Sequence, residues 1–152
     1  MAEIPVRPHV LTDAEFTLAL ETAVAGVFGT AAEYQAHVSR AEFVPTSQTI
    51  TWKGLSRSAR FTGTTSPTWV LGLAMAQDWL TNESLSEFLL ENEGKRAQAV
   101  LRPYGDPVPG DPVFTAVVLL TPGGIGGTVD AVSVGTLNLG VDGKPDLTRV
   151  GP

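Results

Sequence analysis

The chain has 152 residues, of which 43% are hydrophobic and only 17% charged, and 16 acids against ten bases leave a net charge of −6. That size and apolar content fit one folded domain with a real core, while the acidic balance argues against tight phosphate-based nucleic-acid binding, which needs clustered cations. The absence of cysteine excludes a disulfide scaffold, a thiol nucleophile and thiolate metal sites.

The first residues, Met1 to Ala14, carry Pro5 and Pro8 and little periodicity, and read as an extended arm over residues 1–14. The arm shows no basic stretch followed by an apolar core, so no signal peptide is expected, and synthesis in a cytoplasm is the expectation. Phe16, Leu18 and Leu20 alternate with polar or small residues, which favours a strand; a helix from Thr12 to Val24, opened by Asp13 and Glu15, is the competing reading. Gly26 and Gly29 mark a turn. A second strand is expected from Tyr34 to Val44, with a face switch near Arg40 that calls for a bulge, and Pro45 should end it. Gln48–Trp52 is a short β-branched and aromatic strand.

Gly54–Thr68 reads as a long Ser/Thr/Gly loop flanked by Lys53 and holding Arg57 and Arg60, and loops of this length are commonly functional. Trp69 to Ala76 is the clearest strand, apolar or small on both faces, so burial on both sides is expected. The helix is predicted over Asn82–Glu93: Leu85, Phe88 and Leu89 form one stripe, Asn82 or Ser84 caps the start, Ser84 with Glu87 fits a capping box, and Gly94 takes the left-handed exit. Lys95–Arg102 and Val113–Leu120 form a hairpin across the Pro103–Pro112 turn cluster. Pro122–Gly127 is a turn, Val129–Val141 the last strand region, and Asp142–Pro152 a polar tail. The architecture is mainly β, a sandwich or half-barrel of about seven to eight strands with one flanking helix near 82–93. The domain spans 15–145, with a tail over 146–152.

Chemistry-bearing constellations are scarce. His9 and His37 lack metal-ligand spacing, and no apolar run approaches the ~18 residues that span a bilayer. Glu91 and Glu93 point to different sides of a helix, and Asp106 and Asp111 sit among turn prolines, where Asp bonds its own backbone. His37 has no nucleophile-elbow sequence to serve, and PGGIGG has no following Lys-[ST] and opens no helix. Trp52, Trp69 and Trp79 read as core packing rather than a sugar platform. The informative feature is charge segregation: Lys53, Arg57 and Arg60 lie in one loop, while Asp78, Glu83, Glu87, Glu91 and Glu93 surround the helix without a base among them. Two solvated faces are one reading; head-to-tail matching between identical subunits is the other, and uncovered strand edges favour it.

The stretches HVSRAEFVPTSQTITWKGL (His37–Leu55), PTWVLGLAMAQDW (Pro67–Trp79), SLSEFLLENEGK (Ser84–Lys95) and GGIGGTVDAVSVGTLNLGVDGKP (Gly123–Pro145) resemble the major tail tube protein of long-tailed bacteriophages, of the kind found in phages of actinobacteria. The resemblance covers most of the chain after Tyr34 and is weaker before it. It implies a β-sandwich with one helix, assembled into stacked hexameric rings whose inner strands line a lumen. DNA would pass through that lumen without specific binding. The long loop and the terminal arm would link subunits and rings, with Lys53, Arg57, Arg60, Phe61, Glu83, Glu87 and Glu91 as inter-subunit or inter-ring contacts. It also implies a tape measure, a tail terminator and distal tail proteins as partners, and location in the virion tail after assembly in the host cytoplasm. No catalytic residues, cofactor, metal or membrane contact are implied. The alternative reading is a monomeric β-sandwich binding module for carbohydrate or a cell surface, or another phage structural or decoration protein.

Overall fold

The computed structural model describes residues 2–105 and 108–152; Met1 of the arm and Asp106 of the turn cluster lie outside them. The described elements are β1 (Glu15–Leu20), β2 (Ala32–Glu33), β3 (Val38–Thr46), β4 (Thr49–Lys53), β5 (Arg60–Thr64), β6 (Thr68–Ala76), α1 (Leu85–Glu91), β7 (Arg96–Arg102), β8 (Pro112–Leu119) and β9 (Val134–Arg149). Seven strands form one antiparallel sheet in the order β2-β1-β7-β8-β9-β6-β3, and β4 and β5 pair only with each other. The mainly β class with one helix is as expected, with nine strands among the described residues.

Period-two alternation explains the core. Phe16 and Leu18 on β1 face the same side as Leu101 and Ala99, their partners on β7, and cross-strand pairs of this kind are the unit of sheet stabilisation. Leu71, Leu73 and Met75 of β6, Ala97 and Ala99 of β7, Val118 of β8 and Leu139 of β9 join them in one buried cluster with Leu85 and Leu89 of the helix. Strand β9 positions both halves of the sheet. Its first part pairs with β6, from Ala76↔Val134 to Val70↔Gly140, and its second part with β8, from Val118↔Val141 to Pro112↔Arg149. The sheet curls: Phe16 of β1 and Val38 to Glu42 of β3, with four strands between them, line the same cavity of about 510 Å³. Strand β1, next to one edge, thus approaches the edge strand β3 at the other end of the order, which makes a half-barrel.

The helix is capped by Ser84, whose extended backbone (ψ 162) places its side chain to accept from the Glu87 amide at 3.4 Å. Only half of the capping box forms, because the Ser84 amide donates to the Thr81 carbonyl instead. Gly94 leaves in the left-handed region at φ +79. The helix is shorter than the 82–93 expectation, since Asn82 and Glu83 belong to the turn that delivers Ser84.

Several expectations are corrected. Of the Tyr34–Val44 strand only the part from Val38 onward is strand, in β3; residues 34–37 are a turn between β2 and β3, closed by the His37 amide on the Tyr34 carbonyl at 2.9 Å. The bulge is real, with the register shifting between Val38 and Arg40. Pro45 does not end β3: it pairs opposite Trp69, and proline's missing N–H is tolerated there because β3 is an edge strand. The Gly54–Thr68 loop contains β5, so it forms one side of a hairpin. The polar tail from Asp142 is strand through Arg149. Its polar side chains point outward while its backbone satisfies β8. The last strand begins at Val134, not Val129. The expected burial of β6 on both sides holds in part: on the face opposite the core Gly72 is buried and Val70 and Ala74 are half-buried, and a Cβ on Gly72 would lie 2.9 Å from the Arg40 guanidinium. Trp52 and Trp79 are exposed, not packed in the core, whereas Trp69 is half-buried.

Candidate assembly interface

The β4–β5 hairpin leaves the fold between β3 and β6 and joins no other strand. Its base is closed by the Thr65 amide on the Gln48 carbonyl at 2.8 Å and by the Gln48 amide on the Thr65 hydroxyl at 2.9 Å. Directly opposed residues share a face in an antiparallel pair. Trp52↔Phe61 and Ile50↔Gly63 therefore make one face, and Thr51↔Thr62 and Lys53↔Arg60 the other. The first face is apolar and bare: Trp52 is 62% exposed and Phe61 60%. The rings lie along the strands over glycines. A Cβ on Gly54 would come within 2.9 Å of the Trp52 ring, and one on Gly63 within 3.2 Å of Phe61.

The tip is a Gly54–Ala59 turn, with the Gly54 amide donating to the Ala59 carbonyl at 2.7 Å. Leu55 protrudes fully. Lys53, Arg57 and Arg60 surround one concavity of about 510 Å³ at this tip, so the structure brings the three cations together as the charge pattern suggested. None of them has a carboxylate partner among the described residues.

The acids lie elsewhere. Glu83 occupies the left-handed region at φ 60 just before the helix; it and Glu91 are exposed, and Glu87 is half-buried in the first turn. Asp78 accepts from the amides of Leu80 and Thr81 at 3.0 and 3.1 Å. Bonds from the Thr81 side chain and amide, then the Leu80 amide, with a smaller contribution from His37, hold its carboxyl below the usual carboxylate range. Tyr34 is pushed up by burial and, secondarily, by the charge of Glu83. No ion pair joins these acids to the hairpin cations within one chain, among the described residues. Other ion pairs tie strands together: Arg96 bridges Glu21 at 3.3 Å and Asp142 at 2.7 Å.

The remaining sequence candidates do not converge. Asp111 accepts from the Val108 amide at 3.1 Å, a local turn bond. His37 stacks edge-on to Tyr34 at 5.8 Å. No group of three or more His, Asp or Glu is placed to hold a metal among the described residues, and no helix is long and apolar enough to cross a membrane. PGGIGG is a loop with an unforeseen anchor: Gln77 donates to the Gly126 carbonyl and accepts from the Gly126 amide, both at 3.0 Å. The hairpin's apolar face, Ile50, Trp52 and Phe61, was legible only in part. Its alternation around Trp52 was visible, but the partner strand was hidden in a Ser/Thr/Gly run.

No family model matches the chain, and no curated protein does. Among solved structures, the fold is similar to a chain in the six-fold symmetrised cryo-EM structure of the anti-feeding prophage baseplate. The TM-score is 0.56, with 12% identity, over 97% of this chain and 98% of that one. The likeness is one of fold along the whole length.

Proposed function

We propose that this chain is a structural subunit of a phage-type tail that assembles with copies of itself into stacked rings. These form a tube through which DNA passes, and the chain performs no catalytic step. The β4–β5 hairpin carries the reading. An isolated two-stranded hairpin is marginal in water, and this one adds an uncovered aromatic face and a cationic tip, so it calls for a partner surface. The fold shared with a chain of a six-fold baseplate assembly supports the reading. So does the segregation of hairpin cations from the helix acids Glu83, Glu87 and Glu91, which suits contacts between copies rather than within one. A net charge of −6 suits a bore that repels the DNA backbone. Rings of six, location in the virion tail, and tape measure, terminator and distal tail proteins as partners follow from the tail-tube resemblance.

Negative-stain electron microscopy over a concentration series, with mass by light scattering, tests this. Rings or hollow tubes of uniform diameter are expected. A monomer at every concentration overturns the reading and favours the second one, a carbohydrate-binding module. The exposed Trp52 ring is the observation behind that alternative, and a shift in tryptophan fluorescence on adding sugars would be its signature.

A further inference from the structure

Strand β6 connects two ends of the molecule with opposite endowments. The hairpin leaves where Thr46 pairs with Thr68, and eight residues further on Ala76 pairs with Val134, roughly 26 Å away at the usual rise of a strand. At that far end the Gln77 amide donates to the Ser133 carbonyl at 2.8 Å, and its side chain clamps Gly126. The Trp79 indole N–H donates to the same Gln77 side chain at 3.3 Å. These bonds gather Trp79, Leu80, Ile125 and Val134 at one end, all four exposed, with Leu80 at 97%. Asp78 and Glu83, from the same turn as Leu80, supply negative charge beside them. An apolar patch rimmed by polar residues marks an interaction site.

We propose that this patch is the socket for the hairpin of a second copy, an inference that rests on the self-assembly reading and names the partner surface. The face carrying Trp52 and Phe61 seats on Trp79, Leu80 and Ile125. Arg57 at the tip turn, with Lys53 and Arg60 reaching round from the hairpin's other face on long stems, meets the rim at Asp78 and Glu83. The complementarity is double, apolar to apolar and cationic to anionic. Because plug and socket occupy opposite ends of β6, a copy that receives one hairpin still presents its own. The contact is heterologous, so it propagates from copy to copy, and the rotation between copies sets whether it closes a ring or links rings into a stack.

The chain has no cysteine, so thiols can be placed cleanly. Leu55→Cys and Asn82→Cys sit on exposed side chains beside the seating surfaces rather than in them, where substitution leaves the core and the socket intact. The full chain carrying both, treated with a short bis-maleimide under conditions where the unmodified chain assembles, should give a ladder of dimers, trimers and higher species. Either single variant should stop at dimers or give none. In parallel, Lys53→Glu with Arg60→Glu should raise the concentration needed for assembly at least tenfold, and adding Glu83→Lys should recover part of that loss. Normal assembly of the double-thiol chain without a ladder, together with indifference to the charge reversals, would overturn the socket while leaving self-assembly standing. An unmodified chain that never assembles would remove both.

Discussion

Ser84 works in two directions at once. Its hydroxyl donates to the Asp78 carbonyl at 2.6 Å and accepts from the Glu87 amide at 3.4 Å, and the residue is 1% exposed. Ser84→Ala removes the helix cap and leaves a part-buried carbonyl short of a donor, so a loss of about 1–2 kcal/mol is expected in denaturant unfolding. The carboxylate of Asp78 titrates below the ordinary range because Thr81 and Leu80 bond its charged form. Its folded pKa lies under the unfolded one, so its stabilising effect is present above the unfolded pKa and is lost as pH falls through the folded value. An NMR titration placing the Asp78 carboxyl at or above an unfolded aspartate would contradict this. The Ser84 cap was readable because Ser-x-x-Glu precedes an apolar stripe. The Gln77 clamp was not, because a side chain that bonds backbone 49 residues away leaves no local pattern.

At the scale of elements, the hairpin is separable from the sheet. It shares no ladder with β3 or β6 and every residue of β4 is exposed. Replacing Thr49–Thr64 by a short Gly/Ser linker should leave the far-UV spectrum strand-rich and the thermal midpoint within a few degrees, while abolishing assembly in light scattering. A collapse of the midpoint would mean that the hairpin packs on its own domain. Gly54→Val should act more locally, since a Cβ there meets the Ala59 Cβ at 2.7 Å and the Trp52 ring at 2.9 Å; the ring must move, and tryptophan emission should change. Strands β1, β6, β7 and β8 were legible because one buried face imposes alternation on their sequences. Strand β5 was not, because Gly63 interrupts a Thr-rich run with no buried face. The second half of β9 was hidden for the same reason, its outward polar residues and Gly143 reading as a tail although Pro145 is buried.

For the whole molecule, two electrostatic ranges compete. Copies carrying a net charge of −6 repel one another at long range, whereas in the proposed contact the hairpin cations and the acids near α1 would attract. Salt removes the long-range term first. The screening length is about 30 Å at 0.01 M, about 10 Å at 0.1 M and about 3 Å at 1 M. Assembly followed by light scattering should therefore rise between the first two concentrations and decline towards the third. A monotonic rise would mean that the contacts are apolar alone.

Strand β9 follows every other strand in the chain yet lies between β8 and β6, in the interior of the sheet order. Until Val134–Arg149 has been synthesised, the chain holds two unfinished half-sheets, β2-β1-β7-β8 and β6-β3, each with an open edge. Strand β1 must likewise wait for β7, which comes only after β6 and the helix. Such non-local closure places folding in the slow, millisecond-to-second regime of β proteins. The open edges of β8 and β6 are the places where two incomplete chains could pair wrongly. Arrival of β9 seals both at once, so the same strand that completes the sheet also removes the routes to premature association.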